Sequence, residues 1–226
     1  MLAPFIVNST KDNAAMIDAI RWHGHATFSI EGTPRIMIDP WRVSDDGPPP
    51  DVILVSHSDY DHCSPADVQK LRAPHTIVIA SADAAAYLDD PVTVLRPWQV
   101  INIGRTSIKG VPAYTFDGRH PAHREDLGFV ISRDYTDIYY AGDTDFVPEL
   151  RNIYADIAIL PVTTREGTLP LSQAKDLVAS LGPRYVIPSH IGNHPSSAGR
   201  LAMQAFSREL GALTDIVAPG DVLATR

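Results

Sequence analysis

Cysteine occurs once in the 226 residues, at Cys63, so no intrachain disulfide framework is available and the compartment is unconstrained or reducing. Positive charge is also scarce. Nineteen Lys and Arg face 27 Asp and Glu, a formal net charge of −8. Phosphate backbones are bound by clustered cations, so a nucleic-acid binder is not expected. Nothing approaches the run of about 18 apolar residues that a transmembrane helix needs, so no stable membrane insertion is expected. The opening MLAPFIVNSTKDNAAM has neither a basic n-region nor an extended apolar core. It is unlike a secretory signal and points to a cytoplasmic protein. No repeat of about 20–50 residues recurs, which argues against solenoids and propellers.

Hydrophobic residues make up 44% and charged residues 20%, an ordinary globular balance rather than that of a disordered chain. Nineteen prolines favour many short elements joined by shaped turns. The length suits one large domain. Residues 1–19 read as a polar leader with a weak helical turn, and residues 20–226 as the domain. Strands are expected at 26–30 and 35–38, joined by Gly32-Thr33-Pro34, and at 51–55, 76–80 and 92–95. More follow at 100–103, 107–113, 127–131, 137–140, 156–160, 185–187, 214–217 and 221–224. Helices are expected at 65–71, with Ser64 as N-cap and Pro65 at the first position, and at 81–88, 172–180 and 197–210. In the last helix Leu201, Ala205 and Leu210 are the apolar positions. Strands and helices mixed on this scale indicate a layered α/β fold with its polar motifs at strand ends.

The densest chemistry follows the apolar run Asp51-Val52-Ile53-Leu54-Val55: Ser56-His57-Ser58-Asp59-Tyr60-Asp61-His62. Four potential metal ligands, His57, Asp59, Asp61 and His62, fall within six positions. A tight turn leading into a helix can aim two of them at one ion and two at another. Imidazole and carboxylate together suit borderline-to-hard divalent ions.

This segment resembles the His-x-His-x-Asp-His motif of the metallo-β-lactamase superfamily, with Asp59 where the second His is usual. Further motifs follow in order, each at an expected strand end: Asp39 in Ile38-Asp39-Pro40, His120 in Arg119-His120-Pro121, Asp143 in Gly142-Asp143-Thr144, and His190 in Ser189-His190. Trp22-His23-Gly24-His25-Ala26-Thr27-Phe28 and Asp39-Pro40-Trp41 resemble the branch of ascorbate-6-phosphate lactonase-like hydrolases and N-acylphosphatidylethanolamine-hydrolysing phospholipase D. The resemblance runs from about residue 20 to the end, and it implies a four-layer αββα sandwich.

It also implies two divalent ions, Zn²⁺ or Mn²⁺ first and Fe²⁺ next. His57, Asp59 and His120 would hold one; Asp61, His62 and His190 would hold the other; Asp143 would bridge them. Two ions about 3.5–4 Å apart share a hydroxide and polarise a substrate oxygen. The implied reaction is hydrolysis of a small ester, lactone or phosphodiester, with Asp61, Asp143 and His25 singled out for catalysis and Asp39 and His25 behind the ligands. Asp59 adds a negative charge, tilting the site toward Mn²⁺ or Fe²⁺; alternatively it points away and leaves one ion. His123 competes with His120. Arg119, Arg124 and Arg165 are candidates for binding an anionic substrate group, with 163–169 as a rim loop. Cys63 reads as a buried thiol and His75 as a surface residue, while His23 and His194 lie near motifs without a partner pattern. Two other classes stay open: a non-catalytic metal-binding protein of this fold and a diiron redox protein. Homo-oligomerisation is also open.

Overall fold

Alternating apolar residues along three short parallel strands explain how the chain layers. In the run from Ile36 to Ala80, one set of side chains (Ile36, Ile38, Val52, Leu54, Ile79) enters the large central core. The intervening set (Met37, Ile53, Val55, Val78, Ala80) enters a second, smaller core on the other side. A strand with period-two side chains that are apolar on both faces must be covered on both. The computed structural model, which describes residues 9–44, 46–89, 91–162, 169–191 and 197–218, shows both covers.

The first sheet has six strands in sequence order: β1 (Ile20–Gly24), β2 (Thr27–Ile30), β3 (Ile36–Ile38), β4 (Val52–Val55), β5 (Ile77–Ala80) and β6 (Thr93–Val94). β1 to β3 are antiparallel, with Phe28 opposite Trp22 and Ile38; β3 to β6 are parallel. The second sheet has seven: β7 (Val100–Ile103), β8 (Thr106–Pro112), β9 (Leu127–Arg133), β10 (Thr136–Tyr140), β11 (Ile157–Pro161), β12 (Tyr185–Ser189) and β13 (Asp215–Ile216), neighbours in that order. It is antiparallel through β10 and parallel beyond. The two sheets share the central core, in which Phe28, Phe129, Tyr139 and Tyr140 are the bulkiest buried side chains. Burying each such aliphatic or aromatic side chain contributes roughly 1.5–3 kcal/mol.

Helices close the outer faces, giving the four-layer αββα sandwich. On the first sheet, α2 (Pro65–Leu71) and the single turn α3 (Ala82–Ala85) bury Val68, Leu71 and Ala84. On the second, α4 (Leu171–Leu181) and α5 (Ser197–Leu210) pack against each other. The apolar face of α5 agrees with expectation at Leu210, which is buried, and departs from it elsewhere: Phe206 is buried with Ala202 and Met203 packed near it, while Leu201 is 66% exposed. Among the described residues, no helix is long and apolar enough to cross a membrane.

Three more expectations change. The stretch read as a leader carries a helix, α1 (Ser9–Ala19). It is fixed by Met16 in the core and by Asn13, which accepts from Thr136 Oγ1 at 3.0 Å. β1 was not foreseen as a separate strand, and the helix expected over 81–88 is confined to Ala82–Ala85. The strand expected at 221–224, most of the 163–169 loop with Arg165, and His194 lie outside the described residues.

Candidate metal centre

Most of the cluster stands just past strand ends at one edge of the sandwich. Asp39 follows β3, His57 follows β4, His120 lies between β8 and β9, Asp143 follows β10, and His190 follows β12. Turning a side chain sharply out of a strand needs unusual backbone. His25, Asp39 and His190 all have positive φ (48°, 44° and 61°), a region that non-glycine residues rarely occupy. Gly142 (φ 62°) serves the same purpose before Asp143. A Cβ there would lie 2.8 Å from the Leu127 carbonyl oxygen, so only glycine lets β10 and β9 approach so closely at this corner.

Four histidines are held by one ring nitrogen and present the other inward. The buried Asp39 carboxylate is the hub: Oδ1 accepts from the Ser56 amide at 2.7 Å. Its Oδ2 takes Ser56 Oγ at 2.5 Å, His62 Nδ1 at 2.7 Å and Tyr140 Oη at 2.6 Å. Since the Ser56 hydroxyl proton goes to Asp39, its oxygen accepts from His57 Nδ1, 2.9 Å away. That fixes the tautomer of His57 with the lone pair on Nε2. His120 Nδ1 is held by Asp126 at 3.2 Å and His190 Nδ1 lies 3.0 Å from Ser189 Oγ.

The inward Nε2 atoms meet carboxylates and one another. His57 Nε2 is buried without a hydrogen-bond partner among the described residues. Asp59 Oδ2 lies 3.9 Å from it and 3.8 Å from His120 Nε2. Asp143 Oδ1 stands 3.0 Å from His190 Nε2 and 3.5 Å from His62 Nε2, off hydrogen-bond angle, and its Oδ2 is 3.9 Å from His120 Nε2. His62 Nε2 and His190 Nε2 are 3.2 Å apart. Two lone pairs cannot face each other at that distance without a proton or cation between them.

The electrostatics show the same demand for positive charge. Burial lowers the affinity of His62 for a proton, yet Asp143, Asp39 and Asp61 outweigh it and carry the imidazole up to about 9. Burial and the neighbouring His62 hold His57 well below the usual histidine range. Burial would raise Asp143, but His190 and His62 keep its carboxyl well below the usual range. Imidazoles held at Nδ1, an orphaned inward nitrogen on His57 and surplus acid fit divalent cations.

Ligand atoms lie within 4.8 Å of one another in three groups: His57–Asp59–His120, His57–His62–Asp143 and His25–His62–His190. Asp61, expected beside His62 and His190, is in none of them. The turn folds back on itself, with His62 and Cys63 amides both donating to the Asp59 carbonyl. Asp61 then meets the cluster through His25, whose Nε2 is 2.9 Å from its Oδ2. His25, expected behind the ligands, stands beside His190 with ring centroids 4.4 Å apart. His123 is exposed on the one-turn helix Ala122–Arg124, whereas His120 is 4% exposed and faces inward.

Other candidates separate from the centre. Cys63 is buried in the smaller core, and burial pushes its thiol up to about 12. His75 is exposed, His23 pairs with Ser29, and Arg119 pairs with Asp117. Arg124, a candidate for binding an anionic substrate group, is engaged by carboxylates of the chain. Ser56, Tyr140, Asp126 and Ser189 were not foreseen. Asp126, six residues after His120 and just before an apolar strand, carried the only signal.

Two mixed sheets packed face to face, with imidazoles and carboxylates converging from both at one edge, define a metal-site sandwich. The chain belongs to the beta-lactamase superfamily: the family model described as "Beta-lactamase superfamily domain" matches residues 19–190, a span that includes the whole cluster. A UPF0173 metal-dependent hydrolase of Thermoplasma acidophilum is 31% identical over 189 residues, 76% of this chain and 82% of the relative. Another, of Pyrobaculum arsenaticum, is 30% identical and covers 90% of this chain and 98% of itself. A crystal structure of a provisionally assigned metal-dependent hydrolase from Parabacteroides distasonis superposes with a TM-score of 0.77 at 27% identity, covering 88% of this chain and 91% of that one.

Proposed function

We propose that this protein is a metal-dependent hydrolase that holds two divalent ions and cleaves an ester, lactone or phosphodiester bond in a small molecule. The observation that carries this is the set of four imidazoles, each tied at Nδ1 and each aiming Nε2 at shared carboxylates. Relatives named metal-dependent hydrolases support it. His57, Asp59 and His120 would hold one ion. His62 and His190, with Asp61 and its partner His25 at the open side, would hold the other, and Asp143 would serve both. Zn²⁺ or Mn²⁺ suits these donors, and the carboxylate Asp59 extends the range toward Fe²⁺.

Such ions, when bound, polarise the scissile oxygen and acidify water. The chain's own residues do the rest. Asp39 and Asp126 lock the imidazoles so that no rotamer is searched at the moment of reaction. His25 and Asp61 share a proton across 2.9 Å at the solvent side of the cluster, where it can pass to a departing oxygen. The acidic chain disfavours a polyanionic nucleic acid as substrate.

Elemental analysis after reconstitution with Zn²⁺, Mn²⁺ and Fe²⁺, beside a panel of a nitrophenyl ester, a lactone and a phosphodiester, tests the proposal. Two equivalents of metal per chain and metal-dependent turnover are expected. Trace metal alone sinks the reading. Full loading without turnover on any substrate would make this a non-catalytic metal binder, and a redox-active iron absorbance would make it a diiron protein.

A further inference from the structure

Arg124 sits four residues after His120 and two before Asp126, at the end of the helical turn Ala122–Arg124. Its guanidinium reaches back across the mouth of the first ligand group. Nη2 donates to Ser58 Oγ at 2.9 Å, to Asp83 Oδ2 at 3.1 Å and to Asp59 Oδ1 at 3.3 Å. Nε lies 3.4 Å from Asp126 Oδ2, the atom that holds His120 Nδ1. Ser58 in turn donates to Asp83. One cation therefore touches the outer oxygen of Asp59 directly and the support of His120 at one remove.

Asp59 needs such a partner. Its side chain is 43% exposed, so packing alone does not choose its rotamer. With Oδ1 engaged by Arg124, Oδ2 is left facing both His57 Nε2 and His120 Nε2. A carboxylate here also brings a negative charge into a cluster that already holds Asp126 and Asp143. The attraction of one guanidinium to Asp59, Asp83 and Asp126 offsets part of the repulsion among the three carboxylates.

We propose that Arg124 is a positioning residue for the ion held by His57, Asp59 and His120: it turns Asp59 inward and offsets the charge that a carboxylate adds at this place. The inference rests on reading those three residues as ligands. It gives Arg124 a role other than the anion binding for which it was one of three candidates in the sequence.

The test is a double-mutant cycle read as metal affinity. Wild type, Arg124→Met, Arg124→Lys, Asp59→His and the double variant Asp59→His/Arg124→Met are stripped and titrated with Zn²⁺ and Mn²⁺ against a competing chelator. Loss of a group that supports a ligand is expected to weaken one of the two ions by about 10–100-fold in Arg124→Met. Arg124→Lys should recover part of that, and the other ion should be unaffected. With Asp59→His the carboxylate is gone, so Arg124→Met should cost less there than in wild type. Unchanged affinity in Arg124→Met, or an equal or greater loss in the Asp59→His background, overturns the proposal. So does a raised KM for anionic substrates at unchanged ion affinity, which would return Arg124 to the substrate. Wild type that takes up no ion would instead sink the ligand reading itself.

Discussion

Asp143 presents its two oxygens to different halves of the cluster, Oδ1 to His62 and His190 and Oδ2 to His120. Asp143→Asn keeps the shape and removes the charge. The variant is expected to fold, to bind its second equivalent of metal much more weakly, and to lose about 10²-fold or more in kcat, as when an essential electrostatic group is removed. Metal titration beside steady-state kinetics checks both; two ions at wild-type affinity would show that it does not bridge. Residues of this kind are legible in a sequence because their chemistry is carried by residue type and strand-end position. Tyr140 and Ser56 are not. A tyrosine ending an apolar strand reads as core, and its ring is indeed buried. Only the fold reveals that its hydroxyl reaches Asp39 across the gap between the sheets. That Asp61 meets the cluster through His25 is hidden for a similar reason. Ligand spacing along the chain does not say which way a tight turn aims each carboxylate.

At the scale of single elements, α2 anchors the end of the 56–64 turn. Ser64 caps it by accepting from the Asp67 amide at 3.3 Å, and Pro65 sets its first turn. Asp67 then ties the helix to the loop after β3, accepting from the Arg42 amide at 2.9 Å and from Lys70 Nζ at 2.8 Å. Burial works against its ionisation, but Lys70, Ser64 and the Arg42 amide outweigh it and hold the carboxyl below its ordinary value. A carboxyl depressed in the folded state stabilises fully above its unfolded pKa, and the contribution fades as pH falls through the folded value. Asp67→Asn should therefore cost about 1–2 kcal/mol at pH 7, with the gap from wild type closing below about pH 4. Urea unfolding between pH 3 and 7 measures this; a gap that is constant with pH would mean that the charge contributes nothing. The cap and proline made α2 plain in the sequence. α1 was not plain, because its hold on the body comes from Asn13 and Met16 rather than from an apolar stripe. In α5 the expected stripe held at Leu210 and failed at Leu201: Leu201 counted as apolar, yet burial falls on Phe206, whose neighbours in space no local pattern contains.

Across the whole molecule, the centre is divided between the sheets. Asp39, His57 and His62 come from the first, and His120, Asp143 and His190 from the second, 151 positions apart from first to last in a chain of 226. His190 follows β12 and is seated by a hydrogen bond from its amide to the His25 carbonyl, 3.0 Å, which joins the last part of the second sheet to the first hairpin. Contacts of such long sequence separation form late, after most loop-closure entropy has been lost. The centre is therefore expected to have no counterpart in a half-folded chain. A bound ion should slow unfolding by a factor that grows as 1 + [ion]/Kd and leave the refolding rate where it was, because an interaction absent from the transition state acts on the unfolding limb alone. Stopped-flow chevrons with and without Zn²⁺ would separate the limbs. Faster refolding with the ion would show that the two sheets meet at this edge before the rest of the sandwich is built.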